Sequence, residues 1–179
     1  MNKPEQIMFT WNSGKVSRFH VVPTVKGQST AEHQWGVAIL ATKLFPDDID
    51  QELMLACLQH DVPERVAGDT PYPTKRQMRA SFGDPLEEFE REIGDMAGIV
   101  TTLPPGRKAD ILAFCDMLEC ALQARYEVTC GNMHLNCVLQ NALSVLRRMS
   151  IYAEVDDVVR MMFQEPQPED SDWWKEMMS

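Results

Sequence analysis

The chain alternates between apolar segments with helical spacing and short polar segments rich in helix-capping residues. Ser29-Thr30-Ala31-Glu32 has the form of a capping box, with a hydroxyl at the N-cap and a carboxylate three residues later. It predicts a helix from about Thr30 to Leu44. Asp84-Pro85 predicts another helix start, because proline is favoured at the first helical position. No stretch shows sustained period-two alternation, so the pattern favours helices throughout.

Taken together, these signals predict an all-α domain of roughly six or seven helices over residues 1–163. Asp47 or Asp48 is the expected cap of the second helix. The helices are expected at about residues 30–44, 49–60, 84–99, 106–127, 132–149 and 152–163, with loops at 12–28 and 62–76. Residues 164–179 form an acidic and aromatic tail, whose Trp173-Trp174 pair is expected to dock on its own core or on a neighbouring subunit.

Composition narrows the class of protein further. A chain of 179 residues fits one domain, and 44% hydrophobic with 25% charged residues is ordinary for a globular protein. The net charge of -10 disfavours a nucleic-acid polymer as partner but leaves a small phosphorylated ligand open. No apolar run approaches the ~18 residues of a membrane span, and no signal peptide is evident, so a cytoplasmic location is predicted.

The informative polar residues are those that interrupt apolar helical patterns. His33 shares a helix face with Val37 and Leu40, and an apolar stretch of the second helix ends in Gln59-His60-Asp61. Asp116 is spaced with apolar neighbours so that its carboxylate is expected to face the core. A buried charge is costly unless a partner or a metal compensates it, so these positions call for an explanation.

Alone, each of these residues has a simpler interpretation, since a histidine on an apolar face is more often a hydrogen-bonded core residue than a ligand. Together, two imidazoles and two carboxylates from three helices predict a metal site formed by His33, His60, Asp61 and Asp116. A mixed nitrogen and oxygen shell suits Mn, Fe, Co or Zn and leaves positions open for water and a phosphate oxygen. The five cysteines are odd in number and lack C-x-x-C spacing, so reduced thiols are predicted.

The segment after the His60-Asp61 pair adds further candidates. Glu64 and Asp69 are carboxylates that could orient a water or protonate a leaving oxygen, and Lys75 with Arg18 could hold phosphate. The alternative is that Glu64 and Asp69 are turn residues and Lys75 a solvated charge. The adjacent His-Asp pair favours the functional interpretation.

Several blocks in order carry a resemblance to a known family. They are Arg18-Phe19-His20, Ala31-Glu32-His33, His60-Asp61-Val62-Pro63-Glu64, Gly68-Asp69-Thr70-Pro71, Lys75 and Asp116. The sequence resembles the HD-domain 5'-deoxynucleotidases of bacteria and the phage-encoded dATP triphosphohydrolases. The resemblance implies hydrolysis of a deoxynucleotide 5'-phosphoester at one divalent metal, Co, Zn or Mn. It implies metal binding by His33, His60, Asp61 and Asp116, assistance by Glu64 and Asp69, and substrate binding by Arg18, Phe19 and Lys75.

Substrate choice is less well specified. The bacterial enzymes carry Trp after the arginine, where it packs against the sugar, whereas this chain has Phe19. The short chain favours the phage-like reaction on dATP, with broad action on deoxynucleoside monophosphates as the alternative. A catalytically inert nucleotide sensor and an HD enzyme for another phosphorylated signal are the remaining alternatives. A homo-oligomer is expected from the resemblance.

Overall fold

Helix caps organise the fold of the computed structural model, which describes residues 1–164. Ser29 accepts a hydrogen bond from the Glu32 amide, and the Glu32 carboxylate accepts one from the Ser29 amide, so the predicted capping box is confirmed. The α-helices are α1 Lys3–Ser13, α2 Thr30–Leu44, α3 Gln51–Gln59, α4 Glu64–Ala67, α5 Tyr72–Phe82, α6 Pro85–Ala97, α7 Arg107–Thr129, α8 Asn136–Leu146 and α9 Asp156–Gln164.

The remaining regular structure is short. Strands β1 (Ser17–Arg18) and β2 (Gln28–Ser29) form a two-residue antiparallel pair just before α2. Single 3-10 turns lie at Pro46–Asp48, Met133–Leu135 and Ser150–Glu154. The all-α prediction is therefore confirmed, with β1 and β2 as its one small addition in the described part of the chain.

Several predicted boundaries were wrong. The expected loop at 62–76 contains α4 and the start of α5, which begins after Pro71 with a proline in its first turn. No residue of α5 is fully buried, and its sequence is mostly polar, so it has no apolar stretch that would mark it as a helix. The cap of α3 is Asp50, rather than Asp47 or Asp48, and its side chain accepts from the Leu53 amide. The last two predicted helices each begin as a 3-10 turn and become α-helical only at Asn136 and Asp156.

Helix α1 was not predicted. Asn2 and Glu5 form a second capping box at its start, so the capping signal is present in the sequence. The apolar residues of α1 do not form a buried face, because Ile7, Met8 and Trp11 remain exposed and only Ser13 is fully buried.

The core surrounds α7, the longest helix, which packs against α2, α3 and α8. Phe114 is fully buried and meets Phe45 edge-to-face, with ring centroids 6.0 Å apart. Ile111, Leu118 and Ala121 continue the same buried stripe along α7. This packing fixes the positions of α2, α3 and α7, the three helices that carry the polar residues singled out above.

Two further findings complete the description. All five cysteines are free thiols, as predicted. Of the helices within residues 1–164, none is both long enough and apolar enough to cross a membrane.

Candidate metal centre and active site

His33 lies in the first turn of α2 and is fully buried, as its position beside Val37 predicted. Its Nδ1 atom is hydrogen-bonded to the Glu119 carboxylate of α7. That bond leaves the Nε2 atom facing the interior of the site, where it has no hydrogen-bond partner.

His60 is the residue that closes α3, and Asp61 follows directly. The Nδ1 atom of His60 lies 3.2 Å from the carbonyl oxygens of both Ala56 and Cys57, to which its N–H can donate. Its Nε2 atom is buried and, like that of His33, has no hydrogen-bond partner. Both imidazoles are therefore held by Nδ1 and offer Nε2 as a free ligand atom.

Asp116 is not a core residue, contrary to the sequence-based expectation. The core face of α7 is formed by Phe114, Cys115 and Leu118, while the Asp116 side chain is 43% exposed and lies on the flank of the helix. Its carboxylate faces the two histidines from the pocket side. The helical spacing was correct, but Ala113, three residues before Asp116, is exposed and does not mark the core face.

The ligand atoms of His33, His60 and Asp116 lie within 4.8 Å of one another. Oδ1 of Asp116 is 3.1 Å from His33 Nε2 and 4.0 Å from His60 Nε2. Oδ2 of Asp61 is 3.4 Å and 3.6 Å from the same two nitrogens. Two buried nitrogens that face two carboxylates at 3.1 to 4.0 Å are the donor set expected of a divalent metal site.

Electrostatics favour positive charge at this point. Burial lowers the pKa of His33, but the carboxylates of Asp116 and Glu119 outweigh it and raise the pKa to about 10. Burial raises the pKa of Asp116, but His33, His60 and Arg18 reverse that effect and hold the pKa well below its usual range. The same charges that stabilise a proton on His33 stabilise a metal cation in its place.

Glu119 is a residue that the sequence analysis missed. Its carboxylate is buried between His33 and Gln28, whose Nε2 donates to Oε1 at 2.6 Å. Gly36 on α2 makes room for it, since a Cβ atom at position 36 would lie 2.8 Å from Glu119 Cγ. A carboxylate that fixes the orientation of a ligand histidine in this way increases the basicity of the free nitrogen.

We therefore expect Glu119→Gln to weaken metal binding. The amide is nearly isosteric but neutral, so it cannot hold the His33 N–H as strongly, and metal affinity should fall about 10- to 100-fold. Competition with a chromogenic chelator measures this directly. Glu88→Gln, at an exposed position of α6, is the matched control and should bind metal as the wild type does.

Arg18 and Phe19 connect the strand pair to the site. Nη1 of Arg18 is 2.6 Å from Asp61 Oδ2, so the guanidinium lies beside a candidate metal ligand. The amide of Phe19 donates to Asp69 Oδ2 at 3.1 Å. Phe19 has a φ of 55°, and no other non-glycine residue in the described part of the chain has a positive φ. Such a strained backbone persists only where the surroundings hold it, and it is frequent at functional sites.

Glu64, the first residue of α4, is almost fully buried beside the metal centre. Burial and the nearby carboxylate of Asp61 raise the pKa of Glu64 well above its usual range. Lys75 of α5 lies 3.6 Å from Glu64 Oε1 and 3.3 Å from Glu90 Oε1 of α6. Glu64 and Lys75 therefore belong to one partly buried network of ion pairs.

A cavity of about 280 Å³ opens in front of these residues. Its charged lining residues are the predicted Arg18, Asp61, Glu64, Asp69, Lys75 and Asp116. Apolar side chains also line it, among them Phe19, Val21, Val22, Met117 and Val138. One cavity therefore combines charged groups suited to phosphate with apolar side chains suited to a sugar and base.

Comparison with known proteins places this architecture in a family. Residues 15–168 match the family model described as HD domain. The chain belongs to the HD domain family. Within it, the chain is 34% identical over 116 residues to a dATP triphosphohydrolase of Salmonella phage PMBT28, covering 58% of each chain. It is 33% identical over 95 residues to a dATP triphosphohydrolase of Acinetobacter phage SH-Ab 15497, covering 44% of this chain and 46% of the relative.

The match therefore spans about half the length of these curated relatives. Among solved structures, the cyanophage S-2L HD phosphohydrolase DatZ, bound to dA and one catalytic Zn2+ ion, superimposes with a TM-score of 0.59 at 20% identity. That likeness covers 92% of this HD domain chain and 95% of DatZ. It confirms the helical fold inferred from the resemblance.

Proposed function

We propose that this HD domain protein hydrolyses the 5'-phosphoester of 2'-deoxynucleotides, with dATP giving deoxyadenosine and triphosphate as its leading reaction. The observation that carries the proposal is the pair of buried Nε2 atoms of His33 and His60, which face two carboxylates that line a cavity of about 280 Å³. The choice of dATP rests on the activity named for both phage relatives.

In this proposal His33, His60, Asp61 and Asp116 hold one divalent metal ion. DatZ is described with a catalytic Zn2+ ion, and Zn, Co and Mn all suit two imidazoles and two carboxylates. When bound, such an ion supplies Lewis-acid stabilisation of a phosphoryl oxygen. Arg18 orients Asp61 and contributes a second positive charge on the same side.

Glu64 is proposed to donate the proton that the leaving 5'-oxygen takes up. Hydrolysis adds water to phosphorus, breaks the bond from phosphorus to the 5'-oxygen, and leaves a proton on that oxygen. Because the pKa of Glu64 is raised, its carboxyl group can remain protonated near neutral pH and donate that proton. The assisting role proposed for Asp69 includes holding Phe19, since one of its carboxylate oxygens accepts from the Phe19 amide.

Arg18 and Lys75 are proposed to bind the phosphate groups, and Phe19 to pack against the sugar. Both cations already form ion pairs with carboxylates, so part of their positive charge is neutralised before a phosphate group binds. This feature favours the alternative function, broad 5'-deoxynucleotidase action on monophosphates, because a monophosphate needs less positive charge than a triphosphate.

The test is to strip the protein of metal, restore Co, Zn, Mn or Mg, and supply the four dNTPs, the four dNMPs and their ribose counterparts. Chromatography then resolves nucleoside, phosphate and triphosphate. Deoxyadenosine with intact triphosphate is the expected result, and release from all dNMPs would favour the alternative. Tight nucleotide binding without turnover by any metal form would contradict both and favour an inert sensor.

Three further predictions accompany the proposal. The protein is expected to act in the cytoplasm, to form a homo-oligomer, and to bind a small deoxynucleotide, with neither nucleic-acid polymer nor membrane as a partner. The predicted docking of Trp173-Trp174 concerns the tail, which lies outside the described residues.

A further inference from the structure

The segment between β1 and β2 forms one wall of the cavity. Phe19, Val21 and Val22 of this segment line the cavity with apolar side chains. The strands on either side pair over only two residues, and the segment itself has no regular secondary structure. Its shape must therefore be fixed by contacts made with other parts of the fold.

One such contact is a buried carboxylate far along α7. Glu127 is fully buried near the C-terminal end of that helix, and it does not line the cavity. Its carboxylate accepts hydrogen bonds from the backbone amides of Val25 at 2.7 Å and Lys26 at 3.0 Å. The side-chain amide of Asn132 donates a third bond at 2.8 Å. Three neutral donors therefore compensate a buried carboxylate.

Asn132 extends the same anchor. Its Nδ2 atom also donates to the carbonyl oxygen of Pro23 at 2.8 Å. The backbone amide of Asn132 donates to the backbone carbonyl of Glu127 at 2.9 Å. Gly131, with a φ of 91°, turns the chain so that Asn132 folds back against the helix end. Burial raises the pKa of Glu127, but the bonds from Asn132, Val25 and Lys26 outweigh it and lower the pKa below its usual value.

The wall is thus held at both ends by carboxylates. Asp69 accepts from the Phe19 amide at the beginning of the segment, and Glu127 accepts from the amides near its end. Asp69 lines the cavity, whereas Glu127 lies eleven residues beyond Asp116 on α7, about 16 Å along the helix axis at 1.5 Å per residue. Glu127 can influence substrate only through the segment that it anchors.

We propose that Glu127 and Asn132 are positioning residues that fix the wall formed by Phe19, Val21 and Val22 and thereby determine how tightly and how selectively the sugar and base are bound. This inference rests on the proposed function for the identity of the substrate. The anchor itself is a property of the fold and can be measured without turnover.

The test compares Glu127→Gln with the wild type. The amide keeps the size of the side chain but replaces one acceptor oxygen with a donor group that faces other donors. The KM for dATP should rise about tenfold, while kcat at saturation stays within about twofold, as expected from losing a hydrogen bond to a charged group. The preference for dATP over ATP should fall in parallel. Glu88→Gln is the control for the same chemical change on an exposed surface.

A purely structural role for Glu127 predicts a different pattern. Partial unfolding would lower the fraction of active protein, so kcat would fall with KM unchanged, and that result would overturn the proposal. Asn132→Ala is the second variant, since it keeps the Glu127 carboxylate and its two backbone bonds. It should shift KM in the same direction by a smaller factor.

Amide hydrogen exchange gives a readout that does not depend on activity. In the wild type, the amides of Val25 and Lys26 should be protected, and Glu127→Gln should accelerate their exchange about tenfold. Wild-type amides that exchange as fast as those of exposed loops would overturn the proposal. Absence of turnover by the wild type would contradict the proposed function alone, because the exchange result would still decide whether the anchor exists.

Discussion

Replacing His60 with Ala is expected to abolish hydrolysis and metal binding together. His60 contributes one of two buried nitrogens that have no hydrogen-bond partner, and within the described residues His33 is the other histidine of this cluster. Metal ions contribute several kcal/mol to transition-state stabilisation, so turnover should fall by about 10³-fold or more. Metal content measured by mass spectrometry and the initial rate of deoxyadenosine release check both parts.

His134→Ala is the matched control, because His134 is exposed and lies far along the chain from the centre. It should keep wild-type metal content and rate. A His60→Ala protein that retains stoichiometric metal and full activity would contradict the assignment of the centre. Circular dichroism of each variant separates loss of the ligand from loss of the fold.

Replacing Glu64 with Gln is expected to lower kcat about 10²- to 10⁴-fold, the usual contribution of general acid–base catalysis. The amide preserves the volume of a side chain that is 2% exposed, so the cavity should keep its shape. Metal content and the dissociation constant for deoxyadenosine should change little, because Glu64 does not belong to the cluster of ligand atoms from His33, His60 and Asp116. Rate measurements at saturating substrate with metal analysis test this combination.

Glu90→Gln provides the comparison for Glu64→Gln. Glu90 is the other carboxylate that contacts Lys75, but it is outside the residues that line the cavity. Its replacement should reduce kcat by much less than that of Glu64. Equal losses in the two variants would indicate that the effect runs through Lys75 rather than through proton transfer by Glu64.

The sequence identified those parts of the site whose signal is local. His33 stood out because an imidazole interrupted an apolar helix face, and the structure buries it as expected. Asp116 was found by the same argument, yet its orientation was wrong, because small residues such as Ala113 fit both the core and the surface. Helix α2 was predicted correctly from its capping box, whose two bonds join residues only three positions apart.

Residues whose role depends on long-range contacts could not be found in this way. Glu119 and Glu127 look like ordinary charged positions of a long helix, and only the fold brings Gln28 and Val25 to them, 91 and 102 residues away in sequence. Helix α5 was missed for a related reason, since none of its residues is fully buried and its pattern is polar. A combination of buried carboxylates with distant partners is visible only in three dimensions.

The missing side chain of Gly36 links helix spacing to chemistry. Glu119 occupies the volume that a methyl group at position 36 would fill, so α2 and α7 can lie this close only because residue 36 has no side chain. An alanine there would favour the helix in isolation yet would push aside the carboxylate that orients His33. In a library of variants, every substitution at position 36 should therefore disturb the metal centre, although Gly36 does not line the cavity. Gly27, which has open space around it, should tolerate alanine freely.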